Sequence, residues 1–283
     1  MTGVSSRYIS VDGVRTHFLE AGDGPPLVLL HGGEFGGCSE LSWEHNIGAL
    51  SRHYHVFAPD WVGYGRTEKI FSFEDMWSFR IRHITAFLRA ACINRAHFAG
   101  NSMGGTLLLA VAAMEQPVWP LDKIMVIAGG GSVPENDARE ILNSFDGTRE
   151  RMKMIVDVLF ASPAIREDAS YVERRLNLAR EHGAWECAAA MRFRAPWRES
   201  QGMPRAPIYS TIKCPTLLIA GSSDRLREPG FGPKLQAQIP GSELRMIEGA
   251  GHCPQIEAPE TFNQIVLDFL ARDVRALQPE HAA

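Results

Sequence analysis

The stretch Ala96-His97-Phe98-Ala99-Gly100-Asn101-Ser102-Met103-Gly104-Gly105 decides the reading of this chain. Residues 96–99 read as a strand, and residues 106–114 are apolar after Thr106, with the length of a buried helix. Between them lies G-x-S-x-G. A serine on so sharp a strand-to-helix turn projects its hydroxyl above the edge of a sheet. Glycines two positions either side remove the Cβ atoms that would collide in the turn. Ser102 is therefore a candidate nucleophile, and its partners have to be sought at other strand ends.

An elbow serine needs a base, and the base needs an orienting carboxylate. In folds built on this turn the chain order is serine, acid, histidine. Residues 215–220 and 243–247 read as strands. Asp224 follows the first, in Gly221-Ser222-Ser223-Asp224-Arg225, and His252 follows the second, in Gly249-Ala250-Gly251-His252. All three residues then stand at C-terminal strand ends, the edge where such sheets bind ligands. Asp60 also follows a strand but precedes the serine, and Glu248 and Glu257 flank His252 without standing in the acid's place. The loop His31-Gly32-Gly33-Glu34-Phe35-Gly36-Gly37 follows an upstream strand. With Met103 it offers backbone N–H groups for an oxyanion, Gly33 being the expected donor from the loop.

Around this centre strands and helices alternate. Residues 7–11 and 15–21 form a hairpin through Asp12-Gly13. Strands follow at 26–31, 55–59 and 123–128, with helices at 42–51 and 73–91. From 132 to 207 no strand-like run occurs, and helical segments dominate at 137–145, 149–160 and 169–181. A last helix covers 259–271, and the tail 278–283 is expected to fray. The pattern predicts a mostly parallel sheet flanked by helices, a core made of 1–131 and 208–283 and a helical cap over 132–207.

The 283 residues, 22% of them charged, carry a formal net charge of −4 with no basic run, which gives no reason to expect nucleic-acid binding. The N-terminus lacks a signal-peptide core, and the longest apolar run, 107–114, is far too short to span a membrane. Five scattered cysteines without a C-x-x-C pair argue against a disulfide framework and a structural zinc site, and point to the cytoplasm. The histidines apart from His252 show no metal-ligand spacing. His31 is expected to brace the oxyanion loop; His17, His45, His53, His55, His83, His97, His182 and His281 are read as surface or packing residues. Arg166, Arg174, Arg175, Arg180, Arg192, Arg194 and Arg198 are read by default as solvated helix faces.

The triad, the H-G-G loop and the helical insertion resemble the α/β-hydrolase superfamily. Within it, Gly-Asn-Ser-Met-Gly-Gly at 100–105, the run 159–165 through 171–176, and Gly251-His252 with 255–257 and Phe262-Asn263 are similar to the meta-cleavage product hydrolases, which hydrolyse carbon–carbon bonds in ring-opened catechols. The resemblance implies a triad of Ser102, Asp224 and His252, and an oxyanion hole of Gly33 and Met103. It implies substrate contacts from Gly32, Asn101 and Cys253, and a cap guanidinium, Arg175 with Arg174 one register step away, holding the substrate carboxylate. It implies no cofactor, a small carboxylate-bearing substrate, and a homodimer or larger homo-oligomer. Glu34 and Phe35 replace the family's usual Gly-Pro, and Cys253 its usual tryptophan. Glu34 is open to two readings, a solvated loop residue or a group repelling anions. Two other functions stay compatible with the triad, a carboxylesterase or lactonase and a non-enzymatic ligand receptor. A haloalkane dehalogenase would carry aspartate at 102.

Overall fold

The computed structural model describes residues 3–73, 75–190 and 207–272. Arg192, Arg194, Arg198, His281 and the tail at 278–283, named above, lie outside them, as does the stretch 191–206 of the expected cap.

Among the described residues, eight strands form one sheet in the order β1-β2-β4-β3-β5-β6-β7-β8. They are β1 (Ser5–Val11), β2 (Val14–Ala21), β3 (Pro26–Leu30), β4 (His55–Pro59), β5 (Ala96–Asn101), β6 (Leu121–Ile127), β7 (Thr216–Gly221) and β8 (Glu243–Ile247). The first two pair antiparallel through a two-residue turn, with Asp12 and Gly13 both at positive φ. That is the geometry an Asp-Gly hairpin favours, because its twist matches the strands. β2 meets β4 antiparallel, and every later pairing is parallel.

The central strands are buried on both faces, so their sequences are continuous apolar runs that divide their side chains by the two-residue period. Val28, Leu30, Phe98, Ile124, Val126 and Leu218 enter one apolar layer. Leu27, Leu29, Ala99, Met125, Ile127, Leu217 and Ile219 enter the other. Four helices precede the expected cap: α1 (Ser39–Trp43), α2 (Ile47–Leu50), α3 (Met76–Ala90) and α4 (Met103–Ala112). Between β6 and β7 lie α5 (Asp137–Asn143), α6 (Arg149–Leu159), α7 (Pro163–Arg166), α8 (Ala169–Arg180) and α9 (Ala184–Ala190). After β7 come α10 (Phe231–Gln236), α11 (Pro254–Glu257) and α12 (Pro259–Ala271).

Leu142, Met152, Ile155, Leu159 and Leu176 of the inserted helices, with Phe145 between α5 and α6, join the same apolar layer as α3 and α4. The insertion thus has no separate core among the described residues; it is seated on the sheet's own. Two expected helices are corrected. The segment 42–51 is not one helix but α1 and α2, because the carbonyl of His45 accepts from the Asn263 side chain and the buried Asn46 amide donates to Gln255 and Asn263. Those long-range bonds take the place of the helix ladder at the break. The helix expected from 73 starts at Met76, where Asp75 caps it by accepting from the Ser78 N–H.

Candidate active site

The turn between β5 and α4 holds Ser102 at φ 51° and ψ −109°, a conformation costly for a residue with a side chain. It persists because its surroundings leave no alternative. The Ser102 N–H donates to Ile127 at 2.8 Å, and the Thr106 hydroxyl donates back to the Ser102 carbonyl at 2.9 Å. A Cβ on Gly100 would stand 2.6 Å from the backbone of Gly104, and one on Gly104 would stand 2.4 Å from the Leu30 carbonyl. Only glycine lets the turn close on itself and on β3.

His252 brings the serine and the acid together. Its Nε2 lies 2.8 Å from Ser102 Oγ and its Nδ1 lies 2.7 Å from Asp224 Oδ2. Burial pushes the Asp224 carboxyl up, but the imidazole beside it, the Leu226 N–H and the Arg227 guanidinium bring it below its ordinary value. A carboxylate at Nδ1 makes that nitrogen the proton carrier and leaves Nε2 to accept from the serine. Asp60, the rival acid, is engaged elsewhere: it accepts from His17 Nδ1 and from the Ser39 and Arg66 N–H groups.

The oxyanion loop is aimed by His31. Its Nε2 accepts from the Trp61 N–H at 3.1 Å, so Nδ1 donates to the Gly32 carbonyl at 2.7 Å. Burial lowers the pKa of this imidazole and keeps it neutral. In a trans peptide the C=O and N–H point opposite ways, so a Gly32 carbonyl turned toward His31 turns the Gly33 N–H away from it. The Tyr64 hydroxyl holds the next carbonyl, that of Gly33, at 2.8 Å. Gly33 packs on Met103, whose sulfur would lie 2.6 Å from an added Cβ. As the first residue of α4, Met103 has an N–H with no helix carbonyl to meet.

A cavity of about 330 Å³ opens on this centre, with Gly33, Ser102, Met103 and His252 in its wall. Trp77, Thr106 and Leu159 shape it, and Arg139 and Arg227 line its far side. Arg227 donates to the carbonyls of Ala128, Gly130 and Ser132 and lies over the Phe231 ring, and burial lowers its pKa to about 10. Neither arginine was singled out from the sequence, although Arg227 stands three residues past Asp224.

Three residues expected to contact substrate are placed behind this cavity's wall. Asn101 is buried and does not line the cavity; its amide donates to the carbonyls of Ile127 and His252 at 3.3 and 3.2 Å. It positions the histidine loop. Cys253 is buried behind it, with Sγ 3.7 Å from Asn101 Oδ1, and burial pushes its thiol pKa well up. Gly32 faces Glu34 and Asn101, not the cavity.

The arginine pair is resolved in register but not in role. Arg174 points outward to Glu44 and Glu40. Arg175 points inward with 1% of its side chain exposed, yet it does not line the cavity. Its Nη2 donates to Glu34 Oε1 at 2.6 Å, its Nε to the Phe35 carbonyl and its Nη1 to the Tyr171 hydroxyl. Glu34 lines the cavity and stands in front of the guanidinium. Burial raises the carboxyl and the Arg175 charge lowers it, with a net fall below its ordinary value. Glu34 is not the solvated loop residue of the first reading: it is buried and its carboxylate is paired with Arg175.

Glu257, considered only as a rival acid, has a different task. Oε1 accepts from the Gly251 N–H at 2.7 Å, and Oε2 from the Ala161 and Ser162 N–H groups at 2.8 Å each. It ties the α6–α7 connection to the histidine loop, where the His252 N–H also donates to the Leu159 carbonyl at 2.9 Å. Glu257→Gln replaces one acceptor oxygen by a donor that faces an N–H. The expected result is a stability loss of about 1–3 kcal/mol with a fall in kcat, read by thermal unfolding and steady-state kinetics. An unchanged melting temperature would show that the three bonds do not hold the cap.

The profile described as "Alpha/beta hydrolase family" matches residues 27–265. The chain is 32% identical over 271 residues, 94% of its length and 91% of the relative's, to a 2-hydroxy-6-oxo-6-(2'-aminophenyl)hexa-2,4-dienoic acid hydrolase of Metapseudomonas resinovorans. It is 29% identical over 279 residues, 96% and 100% of the two chains, to a 2-hydroxy-6-oxo-2,4-heptadienoate hydrolase of Pseudomonas putida. Among solved structures, it is similar to a mutant of the meta-cleavage product hydrolase from Pseudomonas fluorescens complexed with acetates, with a TM-score of 0.83 and 26% identity over 93% and 97% of the two chains.

Proposed function

Because this chain belongs to the alpha/beta hydrolase family, we propose that its serine–histidine–aspartate relay hydrolyses the carbon–carbon bond of a vinylogous 1,5-diketone, a ring-opened catechol, releasing a carboxylic acid and a 2-hydroxydienoate. The observation that carries the reading is the unbroken chain from Ser102 Oγ through His252 to Asp224, opening on a cavity beside Gly33 and Met103. The names of the relatives supply the substrate class.

A leaving carbon must be able to hold an electron pair. The substrate's enol is first ketonised, His252 moving the proton, so that the 2-oxo group becomes the electron sink. Ser102 then attacks the distal ketone as His252 Nε2 takes its proton. The tetrahedral oxyanion forms against the Gly33 and Met103 N–H groups, each typically contributing ~3–4 kcal/mol to the transition state. The bond breaks to an acyl-enzyme and the dienoate, and water activated by His252 releases the acid. Asp224 stays ionised throughout and stabilises the imidazolium.

Phenyl-, alkyl- and unsubstituted ring-opened catechols, followed by loss of their visible absorbance, test the reading. Absence of turnover across all three, beside rapid cleavage of simple esters, would replace it by the carboxylesterase or lactonase reading. The buried Glu34–Arg175 pair is what favours that second reading, since an esterase needs no carboxylate clamp. No helix among the described residues is long and apolar enough to cross a membrane. The five described cysteines are unpaired, which supports a reducing compartment, and we place the enzyme in the cytoplasm on that ground.

A further inference from the structure

The guanidinium nearest the oxyanion loop already has a carboxylate. Arg175 and Glu34 are both almost wholly buried, 2.6 Å apart, with Tyr171 and the Phe35 carbonyl filling the arginine's other directions. Of the two charged groups, only Glu34 reaches the cavity wall. An anionic substrate head directed at Arg175 therefore meets a carboxylate first. Two carboxylates in one buried site cannot both stay ionised.

We propose that Glu34 and Arg175 form a proton-coupled carboxylate subsite, in which an incoming substrate carboxylate takes over the guanidinium and Glu34 takes up one proton from solvent. The inference rests on the dienoate reading above for the identity of the substrate head. Its physical basis is the environment of Glu34. Burial opposes its charge, and Arg175 is the chief group that sustains that charge. The other titratable groups facing it are His31 from its own loop, Tyr171 from α8 and Cys253 from the loop after β8. Burial keeps the His31 imidazole neutral, and a phenol or thiol carries no positive charge in either state, so none of the three can make up for the shared cation. Once Arg175 is shared with a second carboxylate, its hold on the Glu34 charge weakens while the cost of burial stays, and Glu34 becomes a carboxylic acid. In that form it can stay in place and donate its O–H to the newcomer. Glu34 is thus a specificity-determining residue: it makes the binding of an anionic head tighter as pH falls.

The probe is sorbate, a plain hexa-2,4-dienoate that carries the head group and no cleavable bond. Calorimetric titration of the wild-type enzyme in two buffers of different ionisation enthalpy should show proton uptake on sorbate binding, and Kd should weaken as pH rises wherever that uptake is seen, by up to about tenfold per unit. In Glu34→Gln the uptake should vanish and Kd should lose its pH dependence. Sorbate binding without proton uptake in the wild type, uptake undiminished in Glu34→Gln, or no sorbate binding at all would overturn the proposal. If the variant does not fold, because it leaves a buried cation unpaired, the proton count in His252→Ala decides, since His252 also lines the cavity: uptake kept there supports Glu34, and uptake lost there overturns the proposal. The measurement does not depend on catalysis. Failure of the carbon–carbon reading would appear separately, as absent turnover of the coloured substrates.

Discussion

Ser102→Ala should lower steady-state turnover of ring-opened catechols by at least about ten-thousand-fold while leaving substrate binding in place. The serine is the atom that forms the new bond, and nothing else in the cavity wall can stand in for it. His252 remains in this variant, so the proton transfer that precedes attack should survive. Stopped-flow absorbance ought then to show the enol band shift in a fast phase, with no product phase after it. His252→Ala should lose both phases. Turnover near the wild-type rate in Ser102→Ala would eliminate nucleophilic catalysis and leave a general-base attack by water. The left-handed φ at position 102 adds a second effect, since alanine is no better suited to it, and the fold should remain because the Ser102 N–H bond to Ile127 belongs to the backbone.

Asp224→Asn should cost on the order of ten-thousand-fold in kcat, the size of effect known for a triad imidazole held in the wrong tautomer. An asparagine can turn its N–H₂ toward His252 Nδ1, which forces the proton to Nε2, and Nε2 can then no longer accept from Ser102 Oγ at 2.8 Å. The geometry changes little and the chemistry stops. Asp60→Asn is the contrasting variant. Asp60 serves His17, Ser39 and Arg66, so its loss should appear in thermal unfolding far more than in kcat. Equal kinetic effects of the two substitutions would show that Asp224 is not the orienting acid.

The order of the strands and the position of Ser102, Asp224 and His252 at their ends were legible because each rests on local pattern: an apolar run, then a turn, then a polar residue. The break between α1 and α2 was not, since its cause lies more than two hundred positions away, in Asn263. The cap arginine shows the same limit. Register could say that Arg174 or Arg175 faces inward, but the partner that absorbs its charge is Glu34, 141 residues earlier. The structural role of Asn101 was hidden for a related reason. An amide beside a nucleophile looks like a substrate contact until its donors are found on Ile127 and His252. Polar residues in a buried centre are read last because their partners are chosen by the fold, not by their neighbours in the chain.

The bonds from Glu257 and from the His252 N–H to the start of the α6–α7 connection have a mechanical consequence. The catalytic base and that edge of the cap are one piece. Lifting the cap there would drag the imidazole from the serine, so traffic of substrate and acid has to pass by another door. Val133, exposed and part of the cavity wall, marks a stretch of rim clear of those bonds. A bulky residue there should slow the passage of molecules before it touches any step of bond breaking.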